Sequence, residues 1–582
     1  MRVLFLHPED IPWQEPWARQ SWDLIVDLGF ASRRTYDEWG RRLGARVLSL
    51  HEFNGETESL RWVNQFIERG RGRLLDRMGL DWWEILSMES HQDLQAFYLF
   101  QQVRKEVGTS RTELSASRPH RLIRIAEQVF RHPVRSLGSG HAGPIHRVTR
   151  KLNAVRNLRW AQISEIALDK WDSRYQLRRR WTKRATALPT SVVLIPSAYF
   201  NVTRSALAYA SQLPNREFLL VTTRRGAVPN QLPANAVMKS LAAYVSSRPI
   251  DPDEAMELTK AWQAFLQTMI AQAEEFHSAA DAGVWDYFPT HLAHGIFLRG
   301  AWTRLLDAEP VAGVLCGDDL NYHTRLPLML AQRRGLNAVY CSHGALDGGF
   351  LFKRPSAETY LVKGEMEGDY LQRVTTIPRG EIVVAAPGKN ASNTVLDQNR
   401  DALVFFSQPY EVLKGRTDAI YAELLPRLCS VAHSSGKKLV VKLHPFESRR
   451  ARQKLVNAIV PTHMQVRVEI LDSIAPEAVM ARAWCGVTVD SSVAVECSLR
   501  KIPFFLCGWL DFSGFGYLRQ FERYGVARVL QSPEEVEQIP QMVADFQFLP
   551  ETLQRLWRES NPAQLDELMF GARPSQLTPC AS

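Results

Sequence analysis

From Ser191 onward, short apolar runs alternate with stretches of helical periodicity. The apolar runs lie at Val192–Ile195, Phe218–Thr222, Val311–Leu315, Ala338–Cys341 and Tyr360–Val362. Helical periodicity fills much of Pro252–Ala280 and the region around Thr324–Gln332. A chain that alternates strands with helices in this way predicts a parallel sheet.

A second series of the same kind follows the polar segment Pro387–Arg400, whose Pro, Gly and Asn residues are typical of an interdomain linker. Its strands are predicted at Ala402–Phe406, Leu439–Leu443, Val466–Leu471, Gly486–Val489 and Phe504–Leu506. Two such series predict an α/β protein with two Rossmann-like parallel-sheet domains that face each other across a cleft.

The chain before Ser191 has a different pattern. Two strand candidates, Val3–Leu6 and Arg46–Leu50, are followed by a mostly helical stretch, rich in Arg and Trp, that runs to Ala187. The predicted first domain is therefore residues 1–390, with a basic helical segment at about 60–187. The second domain is 391–549, and 550–582 is a helix that packs back onto the first domain, followed by a tail.

Composition places the chain among ordinary globular proteins, with 45% hydrophobic and 23% charged residues among 582. Its seven Cys form no CxxC pair, which favours a reducing compartment and no structural zinc. No apolar run reaches the roughly 18 residues that a membrane span needs. The sequence thus predicts a cytoplasmic protein, soluble or peripherally attached to the inner face of a membrane.

The net charge of +9 is concentrated in one segment. Between Arg118 and Arg184 there are 17 Lys and Arg residues against four acidic ones, interleaved with aromatic side chains. A solvated helical face is one interpretation, and contact with an anionic membrane surface is the other. Nucleic acid is not expected as a partner, because no RNP, KH or zinc-finger pattern accompanies the charge.

Polar side chains follow the predicted strands of the second domain where each strand ends. His444 comes directly after the run that ends at Leu443, and Pro445 stiffens the turn. The imidazole can then donate to a phosphate oxygen at the carboxyl edge of the sheet, although a structural histidine is the alternative. Lys442 and Pro445 are nucleotide-binding candidates of the same turn, although Lys442 lies within the strand and can point to the opposite face.

Ser491 and Ser492 follow the strand Gly486–Val489 and open a helix. They are either helix caps or, with the backbone N–H groups there, ligands of a nucleotide phosphate. Glu496 lies on the same helix face as Ser492 and can accept hydrogen bonds from ribose hydroxyls. Gln408 and Pro409, in the turn after the first strand of this domain, are further nucleotide-binding candidates.

The first domain supplies the candidates for the other side of the cleft. Asp318 and Asp319 follow a predicted strand and can raise each other's pKa, as a general base requires, or one of them caps the next helix. His343 is followed by Gly344, which allows a ligand to approach the backbone closely. The predicted acceptor-binding residues are Tyr199, Arg204 and Asn321, and Arg204 can hold an anionic acceptor.

The order of these motifs, an HG loop, a KLHP loop and an SSxxxE helix start, resembles GT-B glycosyltransferases of bacterial surface polysaccharide synthesis. The chain is especially similar to enzymes that use CMP-sugars, the bacterial sialyltransferases and capsule Kdo transferases. That resemblance covers about Ser191–Asp511. It implies that His444, Ser491 and Ser492 bind the CMP phosphate and that a carboxylate at Asp318 or Asp319 is the base.

The same motif order also resembles CDP-glycerol glycerophosphotransferases, in which case His343 is the implied base. The resemblance to the CMP-sugar enzymes implies transfer of a sugar from a CMP-linked donor to a surface glycan or a lipid-linked acceptor. It implies no metal and no other cofactor. The alternatives are a polyol-phosphate transferase, a nucleotide-sugar 2-epimerase and a membrane-associated scaffold with degenerate GT-B halves.

Overall fold

A computed structural model gives the fold. It describes residues 1–7, 10, 19–53, 55–108, 112–118, 120–137, 175–180, 182, 186–224, 229, 231–246, 252–319, 321–342, 356–388, 400–410, 415–465, 468–472, 476–510 and 516–571. The strands within these ranges form three sheets, and every pairing between named strands is parallel.

The N-terminal sheet has five strands in the order β3-β2-β1-β4-β5. These are β1 Arg2–Leu6, β2 Leu24–Asp27, β3 Arg46–Leu48, β4 Glu113–Ala116 and β5 Arg135–Ser136. The helices around it are α1 Arg33–Leu43, α2 Gly55–Gly70, α3 Trp82–Ser87, α4 His91–Val107 and α5 Arg121–Phe130. Helix α1 begins where the Ser32 side chain accepts from Thr35 N–H, and it ends at Gly44, whose φ of 62° is left-handed.

The middle sheet has seven strands in the order β12-β11-β10-β9-β6-β7-β8. They are β6 Val192–Ser197, β7 Glu217–Thr222, β8 Ala236–Ser240, β9 Val311–Cys316, β10 Asn337–Cys341, β11 Thr359–Val362 and β12 Ile382–Val384. Its helices are α6 Tyr175–Arg179, α7 Phe200–Ala210, α8 Pro252–Gln272, α9 Glu274–Asp281, α10 Phe288–Ala308, α11 Tyr322–Arg333 and α12 Glu365–Val374.

The C-terminal sheet has six strands in the order β15-β14-β13-β16-β17-β18. They are β13 Ala402–Phe406, β14 Lys438–Lys442, β15 Val468–Leu471, β16 Ala483–Thr488, β17 Phe504–Cys507 and β18 Arg528–Leu530. The helices of this part and of the chain end are α13 Thr417–Ser434, α14 Arg449–Ile459, α15 Thr462–Gln465, α16 Pro476–Arg482, α17 Val493–Leu499, α18 Tyr517–Arg523, α19 Ile539–Ala544, α20 Pro550–Leu556 and α21 Pro562–Phe570.

The predicted fold class is confirmed, because the middle and C-terminal sheets are two consecutive Rossmann-like units, as in the GT-B arrangement. In each sheet the first strand lies centrally, with its second and third strands on one side and the rest on the other, which is the doubly wound order. The strand candidates Val3–Leu6 and Arg46–Leu50 correspond to β1 and β3, but a separate N-terminal sheet was not predicted. The segment 60–187 is not only helical, since it contributes β4 and β5 to that sheet. The domain boundaries themselves stay a prediction.

A layer of aromatic side chains joins the N-terminal sheet to the middle sheet. Trp83 on α3 stacks near Trp262 on α8, with ring centroids 6.1 Å apart, and Trp262 stacks on Phe288 at 3.8 Å. Trp82 and Trp83 are fully buried. Burial of such large rings is the main source of stability in a contact of this kind.

A buried ion pair joins the N-terminal sheet to the C-terminal sheet. Arg416, just before α13, donates from Nε and Nη2 to the two carboxylate oxygens of Asp27 at the end of β2, each over 2.7 Å, and both side chains are 0% exposed. The same guanidinium donates to the backbone oxygens of His7 and Asp10 and lies 4.9 Å from the Trp39 ring. Arg416 thus fills the carboxyl edge of the N-terminal sheet.

The end of the chain returns to the middle sheet. Leu565 and Met569 of α21 are buried in the core of that sheet, and Arg216 forms a two-point contact with Asp566. The middle and C-terminal halves also touch directly, since Gln520 donates to the Met366 backbone oxygen over 3.1 Å. These contacts hold the two halves together away from the strand ends.

The described helices include none that is long and apolar enough to cross a membrane. Residues 138–174 of the basic segment lie outside the described residues. At its margins two cations are paired within the protein, Arg118 with Asp10 and Arg124 with Asp286. Membrane contact through Arg118–Arg184 stays a prediction.

The ion pair at Arg416 gives a stability prediction. Asp27→Asn leaves the Arg416 guanidinium buried without its counter-charge, and we expect it to lower the free energy of unfolding by about 3–5 kcal/mol. Arg46→Gln, which breaks an exposed pair between β3 and Glu106 on α4, should cost about 0–1 kcal/mol. Urea midpoints of the two variants measure the difference. Equal midpoints would show that the buried pair does not tie the sheets together.

Candidate functional site

The strand order of the C-terminal sheet brings two polar turns together. Because β13 lies between β14 and β16, the turns that follow β13 and β16 meet at the point where the strand order reverses. Doubly wound sheets bind ligands at this point. Here Gln408, after β13, donates to the Asp490 backbone oxygen and accepts from Asp490 N–H over 3.3 Å. The amide of Gln408 therefore fixes the turn that carries Ser491 and Ser492.

His444 stands on the neighbouring turn, after β14. Its Nδ1 accepts from Phe446 N–H over 3.2 Å, so the ring proton resides on Nε2, which can donate. Burial, and next the positive charge of Lys442, lower the pKa of His444 from its ordinary value of 6.5 to about 4. At neutral pH the imidazole is uncharged and presents a single hydrogen-bond donor.

The buried carboxylate of Glu447 holds this turn through hydrogen bonds. One carboxylate oxygen accepts from His444 N–H over 2.8 Å, and the other accepts from Ser407 Oγ over 2.8 Å and Arg452 Nε over 2.7 Å. Glu447 is 2% exposed, and burial raises its pKa, opposed by the charge of Arg452. Sequence reasoning missed Glu447 and Arg452; the only available signal was an acid three residues after His444.

Ser491 and Ser492 are half-buried at the start of α17. Ser491 Oγ accepts from Val493 N–H over 3.4 Å, and the Ser492 side chain makes no capping hydrogen bond. The helix has only seven residues, so its N-terminus supplies less of an electrostatic field than the sequence pattern suggested. The hydroxyl groups rather than the helix make this turn a candidate for binding.

Two of the predicted nucleotide-binding residues already make hydrogen bonds within the protein. Lys442 Nζ is buried and donates to the Leu443 backbone oxygen over 2.8 Å, so its charge is directed to its own strand end. Gln408 is committed to the Asp490 peptide as described. Pro409 and Pro445 have no donor and can only shape their turns. Direct phosphate contact by Lys442 or Gln408 is therefore disfavoured.

Phe446 is a further residue that sequence reasoning missed. Its ring is 50% exposed and lies 4.9 Å from the His444 ring, between centroids. An exposed aromatic ring beside a polar turn offers a flat surface on which a base or sugar can stack.

In the middle sheet the corresponding turns follow β6 and β9. Asp318 is 8% exposed and accepts from the Asn321 side chain, while Asp319 is 0% exposed and accepts from Ser356 Oγ over 2.5 Å. Asp319 is thus sealed within the protein and is unsuited to deprotonate an acceptor, which leaves Asp318 as the better placed carboxylate of the two. His343 lies outside the described residues.

Asn321 is a helix cap in this structure. Its side-chain oxygen accepts from His323 N–H over 3.1 Å and from Thr324 N–H over 3.3 Å, and its amide donates to Asp318. The prediction that Asn321 binds an acceptor is disfavoured, because the side chain already satisfies the start of α11 and orients Asp318.

Tyr199 and Arg204 lie at and beyond the carboxyl end of β6. Tyr199 is 42% exposed and its hydroxyl accepts from Arg224 Nη1 over 3.0 Å. Arg204 is exposed on α7, and its charge acts on Glu496 of α17, whose pKa is raised by burial and lowered by Arg204. The charge of a predicted acceptor-side residue therefore acts on a predicted nucleotide-side residue of the other half.

No protein-family model matches the sequence, and no characterised protein sequence is significantly similar to it. Among solved structures, UDP-GlcNAc 2-epimerase from Neisseria meningitidis, bound to UDP-GlcNAc, is 12% identical with a TM-score of 0.38, over 66% of this chain and 96% of its own. The spinosyn rhamnosyltransferase SpnG is 15% identical with a TM-score of 0.38, over 65% and 99%.

The wall teichoic acid polymerase TagF is 10% identical with a TM-score of 0.35, over 72% of this chain and 96% of its own. Similarity at this level says nothing of the chemistry. What the site binds has to be inferred from its own residues.

The lowered pKa of His444 predicts how the stability of the protein depends on pH. Since its pKa is about 4 in the folded chain and 6.5 is the ordinary value, the unfolded chain binds more protons between these pH values. His444 therefore lowers the free energy of unfolding as the pH falls from 6.5 to 4. We expect His444→Gln to flatten that part of the pH profile, measured as urea midpoints at pH 7 and pH 5.

His433→Gln provides the control, because His433 is an exposed histidine on α13. It should leave the profile unchanged. An unaltered slope in His444→Gln would mean that the imidazole is not held in its neutral form.

Proposed function

We propose that the chain is a metal-independent GT-B glycosyltransferase that moves a sugar from a nucleotide donor, CMP-linked, to a glycan or lipid-linked acceptor. The C-terminal sheet would bind the nucleotide and the middle sheet the acceptor. The nucleotide phosphate would lie between the His444 turn and the Ser491–Ser492 turn.

The supporting observation is that these turns belong to one hydrogen-bonded unit. Glu447 connects His444 N–H to Ser407, and the next residue, Gln408, is paired with the Asp490 peptide beside Ser491. Donors that are held by such a network need little rearrangement when charge develops on a leaving group. A neutral imidazole and two serine hydroxyls, carried on turns that are connected in this way, suit the departing phosphate of a nucleotide donor.

The charges of these turns favour a CMP-linked donor over a diphosphate. A CMP-sugar carries one phosphate, whereas CDP-glycerol and UDP-sugars carry two. In the described part of the turns the candidate phosphate ligands are neutral, since His444 is uncharged and the cation of Lys442 is directed to a backbone oxygen. A diphosphate without a metal would demand nearby cations.

The acceptor side is inferred from Asp318. This carboxylate would take the proton from the attacking acceptor hydroxyl, and Asn321 would keep it oriented. The bond from the sugar to the phosphate then breaks, and the phosphate oxygen that gains the charge is stabilised by His444 Nε2–H and the serine hydroxyls. Arg204 and Glu496 would line the gap between the halves.

Nucleotide binding tests the donor class. We expect CMP to raise the thermal unfolding midpoint of the wild type more than CDP, UDP or GDP at equal concentration, since a ligand stabilises the folded state in proportion to its occupancy. A larger shift with CDP, together with turnover of CDP-glycerol, would replace the CMP-sugar proposal with a polyol-phosphate transferase. No shift with any nucleotide would favour a scaffold without activity.

The role of His444 is tested by turnover. His444→Ala should cost about 2–4 kcal/mol of transition-state stabilisation, in line with the loss of one preorganised donor to a leaving group. The measurement is kcat/KM with the CMP-sugar that the wild type accepts. His433→Ala replaces an exposed histidine and is the control, which should retain wild-type kinetics. Wild-type kinetics in His444→Ala as well would show that the proposed phosphate position is wrong.

A further inference from the structure

The turn after β14 is closed at both of its ends by one residue, Glu447. Its backbone N–H donates to the His444 backbone oxygen over 2.9 Å, and its carboxylate Oε2 accepts from His444 N–H over 2.8 Å. A four-residue turn that is bonded twice between its first and last residues has little freedom to open. Glu447 therefore sets the backbone positions of Pro445 and Phe446.

This closed turn places a backbone donor against the imidazole. Phe446 N–H donates to His444 Nδ1 over 3.2 Å. A ring nitrogen of a neutral imidazole that accepts a hydrogen bond carries no proton, so this bond selects the tautomer with the proton on Nε2. Nε2 makes no hydrogen bond to another described residue, and the side chain is half-buried, so this proton remains available to a ligand.

The second carboxylate oxygen of Glu447 anchors the turn to the rest of the half. Oε1 accepts from Ser407 Oγ over 2.8 Å and from Arg452 Nε over 2.7 Å, and the side chains of Glu447 and Arg452 are 0% and 9% exposed. Ser407 Oγ is also 2.6 Å from the Tyr421 hydroxyl. A buried carboxylate with a counter-charge and further hydrogen bonds is held rigidly, because each lost partner would leave a buried polar group unpaired.

Arg452 is itself fixed between two helices. It belongs to α14, and its guanidinium lies 5.6 Å from the centre of the Tyr421 ring of α13. A lysine would keep the charge but would lack the planar Nε donor. The orientation of the Glu447 carboxylate thus depends on the guanidinium and not only on its charge.

We propose that Glu447 and Arg452 are positioning residues that hold His444 in the tautomer with its proton on Nε2. Neither side chain needs to touch the nucleotide, since Arg452 orients Glu447, Glu447 closes the turn, and the turn directs the Phe446 N–H to Nδ1. The inference rests on the proposed function only in its last step, where Nε2–H donates to the departing phosphate. A purely structural ion pair would stabilise the protein without any effect on the tautomer.

NMR of the His444 ring nitrogens measures the tautomer, in protein labelled with ¹⁵N-histidine and without any nucleotide. Protonated and unprotonated ring nitrogens have widely separated ¹⁵N shifts, and the signal that disappears in His444→Gln identifies the residue. At pH 8, where histidine side chains are neutral, we expect a protonated Nε2 and an unprotonated Nδ1 in the wild type. A wild-type ring with its proton on Nδ1 would overturn the proposal, whatever the variants show.

Glu447→Gln keeps the shape of the side chain but replaces one accepting oxygen with an NH2 donor. We expect its His444 ring to show shifts averaged over both tautomers, because the turn is no longer closed. Arg452→Lys should move the shifts in the same direction by a smaller amount, and it replaces Glu447→Gln in the test if that variant does not fold. The matched control is Glu469→Gln, which removes a carboxylate of the same sheet from a partly exposed pair with Arg482 and should keep wild-type shifts. Wild-type shifts in whichever of the two test variants folds would contradict the proposal.

Kinetics with the CMP-sugar that the wild type accepts give a second readout. Glu447→Gln should lower kcat about 10- to 100-fold, with a smaller change in KM, as expected when a hydrogen-bond donor is displaced from its productive position. In a His444→Ala background the same substitution should cost about twofold at most, because Glu447 acts through the imidazole. An equal loss in both backgrounds would show that it does not.

The two proposals fail separately in this design. The NMR measurement needs no substrate, so a Glu447-dependent tautomer in a protein that transfers no sugar would remove the proposed function and leave the positioning role. Transfer from a CMP-sugar at the wild-type rate in Glu447→Gln would leave the proposed function and overturn the positioning role.

Discussion

The buried contact between Arg416 and Asp27 joins the C-terminal sheet to the N-terminal sheet. The guanidinium is fully buried and donates to a carboxylate and to two backbone oxygens at the carboxyl edge of the N-terminal sheet. In a doubly wound sheet this edge is where a ligand would bind. Here a side chain of the C-terminal half fills it, so the N-terminal sheet serves to dock that half. The aromatic layer around Trp83 and Trp262 attaches the same sheet to the middle half.

The proposed function places the turns at the reversal points of the middle and C-terminal sheets on the two sides of one gap. The donor side is built on buried polar groups. Glu447 is held by Arg452 and Ser407, and it in turn fixes the His444 turn. The acceptor side is built on Asn321, which both starts α11 and orients Asp318. In both halves a hydrogen-bonded side chain, Glu447 in one and Asn321 in the other, orients a proposed site residue.

Much of the fold could be predicted because parallel strands that are covered on both faces appear in the sequence as continuous apolar runs. Val192–Ser197 and Ala402–Phe406 are fully buried strands of this type. The N-terminal sheet escaped prediction because β4 and β5 are short and mixed in polarity. His444 and the serine pair were visible as strand-end motifs. Glu447 and Arg416 were not, since their roles depend on partners up to 409 residues away.

The central claim is that one nucleotide phosphate is held jointly by His444 and the Ser491–Ser492 turn. A crystal structure of the protein with CMP tests it most directly. The account predicts a phosphate oxygen about 2.7–3.2 Å from His444 Nε2 and another within the same distance of a serine hydroxyl. A CMP molecule bound with its phosphate away from either turn would contradict it.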